Sequence, residues 1–297
     1  MKTTFVKTKD FIGHSGQIFS IVSDGDFIYS ASADKFVTRW NLLKGLQDKF
    51  AIRFEKTPYS IQLISKNEKL VVGLENGDLH IFDLILRKEL KFYQQHKEAI
   101  FYLLENKSRQ QFYSADASGN LAVWNSQNLG LEIFLPFDCG KIRRMTLNFD
   151  ESKLFLACQD GFIRVLETTF FNLIDEFYCH EGGTTAICIH PDNDSIILTG
   201  GKDAHLKLWD LKSKSCIKNI PAHNFVLYDI VALNKTEFIT ISRDKSIKIW
   251  DFESLNVLQK IDVKSKGHKH SINSIVKIDE STFATCSDDK TVKVFSA

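Results

Sequence analysis

Short apolar runs alternate with turn residues along the whole chain. In the first forty residues, runs of β-branched and aromatic side chains at 18–21, 27–31 and 37–40 are separated by Asp24-Gly25 and Asp34-Lys35. Runs bounded in this way predict three short antiparallel β-strands. No stretch of about twelve residues shows a convincing helical period, so the pattern predicts an all-β fold.

A longer period runs through the same pattern. An aromatic or bulky apolar residue followed by a polar one recurs at steps of 41 to 45 residues. The seven pairs are Trp40-Asn41, Phe82-Asp83, Trp124-Asn125, Leu166-Glu167, Trp209-Asp210, Trp250-Asp251 and Phe295-Ser296. A repeat of this length is typical of β-propeller blades, which are four-stranded sheets. The seven copies therefore predict a seven-bladed propeller.

The repeats resemble those of the WD-repeat β-propellers. The best units run from Gly13-His14 through Ser-Ala-Ser-Ala-Asp at 30–34 to Trp40, and from His180 through Thr-Gly-Gly-Lys-Asp at 199–203 to Trp209-Asp210. A third runs from Ala222-His223 through Thr-Ile-Ser-Arg-Asp at 240–244 to Trp250-Asp251. The resemblance covers essentially all 297 residues. It implies a single domain over residues 1–297, built from seven four-stranded antiparallel blades.

The two ends of the chain predict how the ring closes. The last unit ends on its third strand, at Val294-Phe295-Ser296-Ala297, and has no fourth strand after it. The first unit is preceded by a spare extended segment at 3–9. Pairing that segment with the last unit removes an open sheet edge. We therefore expect residues 3–9 to form the outer strand of the last blade.

A Ser or Thr ten residues before the repeat aromatic, and an Asp six residues before it, recur in blades 1, 5, 6 and 7. The resemblance implies that they join the His of the preceding turn and the Trp in a buried hydrogen-bond relay. The predicted relay residues are His14, Ser30, Asp34 and Trp40; His180, Thr199, Asp203 and Trp209; and His223, Thr240, Asp244 and Trp250. In blade 7 they are Thr285 and Asp289, with His268 in phase.

The relay contains the residue types of a Ser-His-Asp catalytic triad, but its repetition favours a structural role. Blades 2 and 4 lack most of it. Blade 3 keeps His96, Ser114 and Trp124 but has Ser118 at the Asp position. We expect these three blades to rely on packing.

Composition and charge exclude several classes of protein. The chain is 43% apolar and 25% charged, as in ordinary globular proteins, and its net charge is +1. No overall field attracts nucleic acid or an anionic membrane. The sequence has no apolar secretory segment and no apolar run of about 18 residues. We expect a soluble, cytoplasmic protein without a membrane segment, whose six scattered cysteines are small buried hydrophobes.

No motif in the sequence predicts catalysis, phosphate binding or metal binding. Gly182-Gly183-Thr184 and Gly200-Gly201-Lys202 are turn glycines in phase with the repeat, not a phosphate-binding loop. His268 and His270 are two histidines without a third metal ligand. We therefore expect neither an enzyme nor a metal site nor a small-molecule cofactor.

The resemblance places three positions of each repeat on the narrow side of the central channel. They are the third and fifth residues after the repeat His and the residue before the turn Asp. The candidate partner-binding residues among them are Phe19, Tyr59, Phe101, Lys141, Arg143, Lys202, Tyr228 and Arg243. Aromatics thus occupy blades 1 to 3, and cations occupy blades 4 to 6.

Exposed aromatic and Arg side chains are enriched in interface hot spots. The sequence therefore predicts a partner protein whose peptide or loop carries an apolar or aromatic anchor beside acidic residues. In the alternative without a binding site, the aromatic residues pack between blades and the cations form a solvated rim. Binding of single-stranded nucleic acid and a hydrolytic propeller enzyme are weaker alternatives.

Overall fold

The computed structural model describes residues 4–297, and these residues form the predicted all-β propeller. They contain 28 strands in seven four-stranded antiparallel sheets and one short 3-10 helix, Val263–Ser265. The strands are β1 (Val6–Ile12), β2 (Ile18–Ser23), β3 (Phe27–Ser32), β4 (Phe36–Asn41), β5 (Leu46–Arg53), β6 (Pro58–Ile64), β7 (Lys69–Leu74), β8 (Leu79–Asp83), β9 (Lys88–Tyr93), β10 (Ile100–Asn106), β11 (Gln111–Asp116), β12 (Asn120–Asn125), β13 (Leu131–Pro136), β14 (Ile142–Leu147), β15 (Lys153–Cys158), β16 (Phe162–Glu167), β17 (Leu173–Tyr178), β18 (Thr184–His190), β19 (Asn193–Gly201), β20 (His205–Asp210), β21 (Ser215–Pro221), β22 (Leu227–Ala232), β23 (Glu237–Ser242), β24 (Ile247–Asp251), β25 (Val257–Ile261), β26 (Ile272–Asp279), β27 (Thr282–Ser287) and β28 (Thr291–Ser296).

Six blades are continuous in sequence. Blade 1 is β2 to β5, each later blade takes the next four strands, and blade 7 combines β26, β27 and β28 with β1. The first strands contact each other around a ring, with β2 touching both β6 and β26. These first strands surround the central channel. The prediction of a single domain also covers residues 1–3, which lie outside the described residues.

The N-terminal strand closes the ring, as predicted. In β1, Val6 pairs with Ser296 and Ile12 with Thr291 of β28. The predicted bounds of 3–9 are three residues early, and position 3 lies outside the described residues. The strand extends to residue 12 because Phe11 is buried and stacks on Trp40 of blade 1, with ring centroids 5.4 Å apart.

The core is divided among the gaps between blades. Within residues 4–297, seven apolar clusters each join two neighbouring blades. Tyr29 and Val37 of blade 1, for example, pack with Ile61 and Val72 of blade 2. Since both faces of each sheet are covered, β3, β7 and β11 each carry a run of buried residues.

Glycines shape three of the turns between second and third strands. Gly77, Gly119 and Gly161 have positive φ angles of 88°, 85° and 94°. A Cβ added at any of them would lie 2.4 Å from a backbone carbonyl oxygen of the following loop. These turns of blades 2, 3 and 4 therefore pack directly against backbone, which only glycine permits.

The cysteine expectation is correct for all but one residue. All six thiols are free, and Cys139, Cys158, Cys179, Cys188 and Cys286 are buried. Cys216 is exposed, because it lies on β21, the outer strand of blade 5, which has no further strand beside it.

Two neighbouring residues of β1 test the closure. Phe11→Ala should lower the free energy of unfolding by about 3 to 5 kcal/mol, because it leaves a cavity between blades 7 and 1. Ile12→Ala, at a side chain that is 73% exposed, should change it by less than about 0.5 kcal/mol. Urea unfolding of the two variants measures the difference. Equal stabilities would show that β1 does not stabilise the ring.

Candidate functional site

A β-bulge occurs near the start of the first strand of every blade. In each case the register shifts across one residue, which is left unpaired. The seven bulge residues are Phe19, Tyr59, Phe101, Arg143, Thr185, Tyr228 and Asn273. All seven line a cavity of about 420 Å³ at the mouth of the channel. Bulges redirect side chains, and here they form one ring at the narrow face. We use narrow face for the end that carries the loops before each first strand and the turns between second and third strands.

Three of these side chains form an aromatic arc across blades 1 to 3. The ring centroids of Phe19 and Tyr59 lie 4.7 Å apart, and those of Tyr59 and Phe101 lie 5.5 Å apart. All three are half-buried, and burial raises the pKa of Tyr59. These rings pack between blades and also present surface to the cavity. The two interpretations of the sequence, inter-blade packing and an exposed binding surface, therefore apply to the same residues.

Two cations share the last ring of the arc. The Arg143 guanidinium carbon lies 4.8 Å from the Phe101 centroid, and the Lys141 Nζ lies 4.9 Å from it. Burial lowers the pKa of Arg143. Burial also lowers the pKa of Lys141, and the charges of Arg143 and Lys202 add to that effect. Within residues 4–297, the Arg143 guanidinium makes no side-chain hydrogen bond and no ion pair. The cavity therefore has a positively charged side, on which Arg143 has no ion pair within residues 4–297.

The next residue along the same strand has the opposite environment. Arg144 forms an ion pair with Asp229, which spans from blade 4 to blade 6, and its guanidinium lies 4.7 Å from the centroid of Tyr102. The two paired side chains are largely buried. Arg144 lines the same cavity as Arg143, so a charge-balanced pair lies beside the unpaired guanidinium.

Six of the eight predicted partner-binding residues line the cavity: Phe19, Tyr59, Phe101, Arg143, Tyr228 and Arg243. Lys141 and Lys202 lie outside it, in the loop before β14 and the turn after β19. The sequence interpretation missed the Arg144–Asp229 pair. Two consecutive arginines in a strand were its only signal, and nothing local indicated that they meet a residue 85 positions away.

The predicted relay residues meet in blades 1, 5 and 6. In blade 1, Trp40 Nε1 donates to Ser30 Oγ at 2.7 Å, His14 Nε2 lies 2.7 Å from the same oxygen, and His14 Nδ1 lies 2.8 Å from Asp34. The other two blades have the same arrangement: Trp209, Thr199, His180 and Asp203, and Trp250, Thr240, His223 and Asp244. A neutral imidazole satisfies every contact, accepting from the hydroxyl and donating to the carboxylate. Blade 7 places His268 between Thr285 and Asp289.

The expectation for blade 3 is wrong, because this blade has a complete relay. His96 Nδ1 lies 2.8 Å from Asp116, and His96 Nε2 lies 2.7 Å from Ser114, which accepts from Trp124 Nε1. Asp116 stands two residues before the expected position. Blade 1 reads Ser-Ala-Asp at 32–34 and blade 3 reads Asp-Ala-Ser at 116–118, so the two polar residues have exchanged places.

Blades 2 and 4 replace the relay with other contacts. In blade 2, His80 packs between Phe54 and Phe92, with centroids 5.2 and 4.7 Å away. In blade 4, Arg164 donates to Asp160 at 2.7 Å. The five relay histidines have side chains that are at most 1% exposed. Such groups are inaccessible to a substrate.

Residues 4–297 contain no group of three or more His, Cys, Asp or Glu side chains placed to hold a metal ion. That part of the chain also has no helix long and apolar enough to span a membrane.

Comparisons with known proteins agree with the repeat pattern. The profile of the family described as "WD domain, G-beta repeat" matches residues 4–41, 171–210, 214–251 and 259–296, just over half of the chain. The chain is similar to the U3 small nucleolar RNA-associated protein 4 homolog of Mus musculus, with 24% identity over 56% of this chain and 25% of that protein. It is also similar to pre-mRNA-processing factor 19 of Mus musculus, with 21% identity over 54% of this chain and 32% of that protein.

A third similar protein is WD repeat-containing protein 55 of Mus musculus, with 19% identity over 67% of this chain and 51% of that protein. The matched regions thus span between a quarter and about half of these relatives.

The exchanged pair in blade 3 gives a matched test of the relay. Asp116→Ala should lower the free energy of unfolding by about 1 to 3 kcal/mol, because buried His96 loses its acceptor. Ser118→Ala, at an exposed side chain, should change it by less than about 0.5 kcal/mol. Denaturant unfolding measures both. A larger loss in Ser118→Ala would restore the original alignment.

The relay also predicts that the protein loses stability in mild acid. Burial lowers the pKa of His14, His223 and His268 in the folded state, and the paired carboxylates offset only part of this effect. The unfolded chain, with His pKa values of about 6.5, then binds more protons below that pH. The free energy of unfolding should therefore fall as pH decreases from about 6.5 to 5. Urea titrations across this range measure it, and a rise in stability would contradict a neutral relay.

Proposed function

Because the chain belongs to the WD-repeat family, we propose that it is a non-enzymatic scaffold that binds a peptide or loop of a partner protein at its narrow face. The observation that carries the proposal is the ring of bulge residues. It places the aromatic arc of Phe19, Tyr59 and Phe101 beside the unpaired guanidinium of Arg143.

This arrangement supports a ligand with two different parts. The arc offers half-buried ring faces for an apolar or aromatic anchor, which would gain by leaving water. Arg143, Lys141, Lys202 and Arg243 favour acidic groups next to that anchor.

The relay argues against a hydrolytic enzyme. Its histidines are buried, and the same arrangement recurs in five blades of the described chain. A catalytic site needs one accessible copy and a place for the substrate. We therefore assign the relay to stabilising the loops that present the narrow-face residues.

The names of two relatives favour a setting among RNA-processing assemblies. One is named for association with small nucleolar RNA and another for pre-mRNA processing. The cytoplasmic location predicted from the sequence finds no support in these names. A protein partner within such an assembly fits both the site and the relatives, whereas direct RNA binding would need a longer cationic track than this cavity offers.

Affinity capture with a matched pair of variants tests the proposal. Phe101→Ala removes an anchor surface and should weaken capture of the specific partner by about 2 kcal/mol, or roughly thirtyfold, through faster dissociation. Leu43→Ala is the control, because Leu43 is 89% exposed in the turn between β4 and β5, at the opposite end of the ring. Quantitative mass spectrometry identifies proteins captured by the wild type and the control. The melting temperature of each variant confirms folding.

A partner that binds Phe101→Ala as tightly as wild type would place the interface on the other face or on the blade edges. Loss of the partner from Leu43→Ala alone would point to the opposite end of the ring.

A further inference from the structure

Four cations on blades 4 to 6 lie close to the narrow face without an ion pair. No ion pair within residues 4–297 involves Lys141, Arg143, Lys202 or Arg243. Asp138 and Glu181 lie in the loops of the same face but form no ion pair with the four cations, and Glu98 of blade 3 acts on Lys141 only as a nearby charge. The carboxylates of Asp203 and Asp244 in the adjacent turns are held by His180 and His223. Mutual repulsion without a counter-ion destabilises a folded protein, and a bound anion would relieve it.

Blade 5 leaves room for that anion. Its bulge residue, Thr185, is small and buried, and its hydroxyl already donates to the Leu227 carbonyl oxygen. Gly183 precedes it with a φ of 130°, and an added Cβ would lie 2.9 Å from the carbonyl oxygen of Gln159. At these two positions blade 5 therefore presents neither a large side chain nor a Cβ to the ring. The space over blade 5 is therefore flanked by Arg143 of blade 4 and Tyr228 of blade 6.

We propose that this space, which we call the blade 5 seat, binds a phosphate monoester on the partner peptide. The inference rests on the proposed function and specifies the acidic group of its ligand. A phosphate monoester carries close to two negative charges at neutral pH and three acceptor oxygens. Arg143 can pair with it through two parallel N–H donors, the Tyr228 hydroxyl can donate to it, and Lys202 and Arg243 lie on the turns at either side.

The charge pattern favours a phosphopeptide over the two nearest alternatives. A single carboxylate would neutralise one of four cations and leave the rest unbalanced. A nucleic acid strand needs cations that continue along its backbone. Here the rim changes sign on both sides, because Glu75 and Glu98 lie on blades 2 and 3, and Asp288 lies on blade 7 bonded to Asn273. The site suits one compact, doubly charged group.

Calorimetric titration of the full chain with inorganic phosphate is the first test. At matched ionic strength, phosphate should bind at least about tenfold more tightly than acetate, because only phosphate offers two charges and a bidentate edge. Arg143→Gln should reduce phosphate affinity by about tenfold or more. Lys212→Gln is the control, because Lys212 is exposed in the turn between β20 and β21, at the opposite end of the ring. Arg143→Lys keeps the charge without the fork and should fall between them.

A peptide array distinguishes the sources of the anion. It presents degenerate peptides with phosphoserine, phosphothreonine or phosphotyrosine beside an aromatic residue. Unphosphorylated and Glu-substituted versions of the same peptides are the controls. A uridine oligonucleotide is titrated separately. Retention of the phosphopeptides alone, lost in Arg143→Gln, supports the inference. Equal retention of the Glu versions, or tighter binding of the oligonucleotide, overturns it.

The two proposals fail separately. If phosphate and phosphopeptides do not bind but Phe101→Ala still loses the captured partner, the narrow face remains the interface and the phosphate inference is wrong. If phosphate binds wild type and Arg143→Gln equally, the ion is adventitious and the blade 5 seat is not a binding site. If Phe101→Ala keeps the partner while phosphopeptides bind at Arg143, the seat exists but the proposed anchor does not.

Discussion

The antiparallel pairing of β1 with β28 is the contact on which every other part of the ring depends. It joins residues 6 and 296, and bringing such distant ends together costs about 5 kcal/mol of chain entropy. This entropic cost is incurred once. The pairing in return completes the apolar contact between blades 7 and 1, where Phe11 stacks on Trp40. An open ring would expose one apolar face on each end blade and leave the edge of β28 unpaired. The channel, and hence the site, exists only because this contact forms.

The period of the sequence predicted the ring because each blade must repeat the same burial pattern to cover its neighbours. Position in the repeat also predicted six residues of the cavity lining, from Phe19 through Arg243. It failed for Asp116, because a carboxylate two residues earlier in the turn can occupy the same space beside His96. It also missed the Arg144–Asp229 pair, which depends on how blades 4 and 6 face each other across the channel. Alignment by repeat position cannot detect a carboxylate supplied from another position of the turn, as with Asp116. It also cannot detect a contact that forms only after the ring closes, as with Arg144 and Asp229.

Arg143 and Arg144 show how one strand serves two needs. The bulge between Ile142 and Arg144 places both arginines in the lining of one cavity. Arg144 is paired with Asp229, and loss of either partner would leave a largely buried charge unpaired. Arg143 lies on the ring of Phe101, burial lowers its pKa, and it has no ion pair within residues 4–297. Two adjacent arginines thus have opposite environments, one in an ion pair and one without.

The seven bulges separate the chemistry of the mouth from the stability of the frame. A residue at a bulge lies outside the ladder of paired residues, so its side chain changes without shifting the register of the strand. In this chain the position already holds Phe, Tyr, Arg, Thr and Asn in strands that otherwise pair alike. The seven side chains at the mouth of the channel can therefore differ while the strand pairing beneath them stays the same. Substitution of one bulge residue at a time can change the surface that a ligand contacts. The binding specificity of such a protein can therefore change while its fold stays constant.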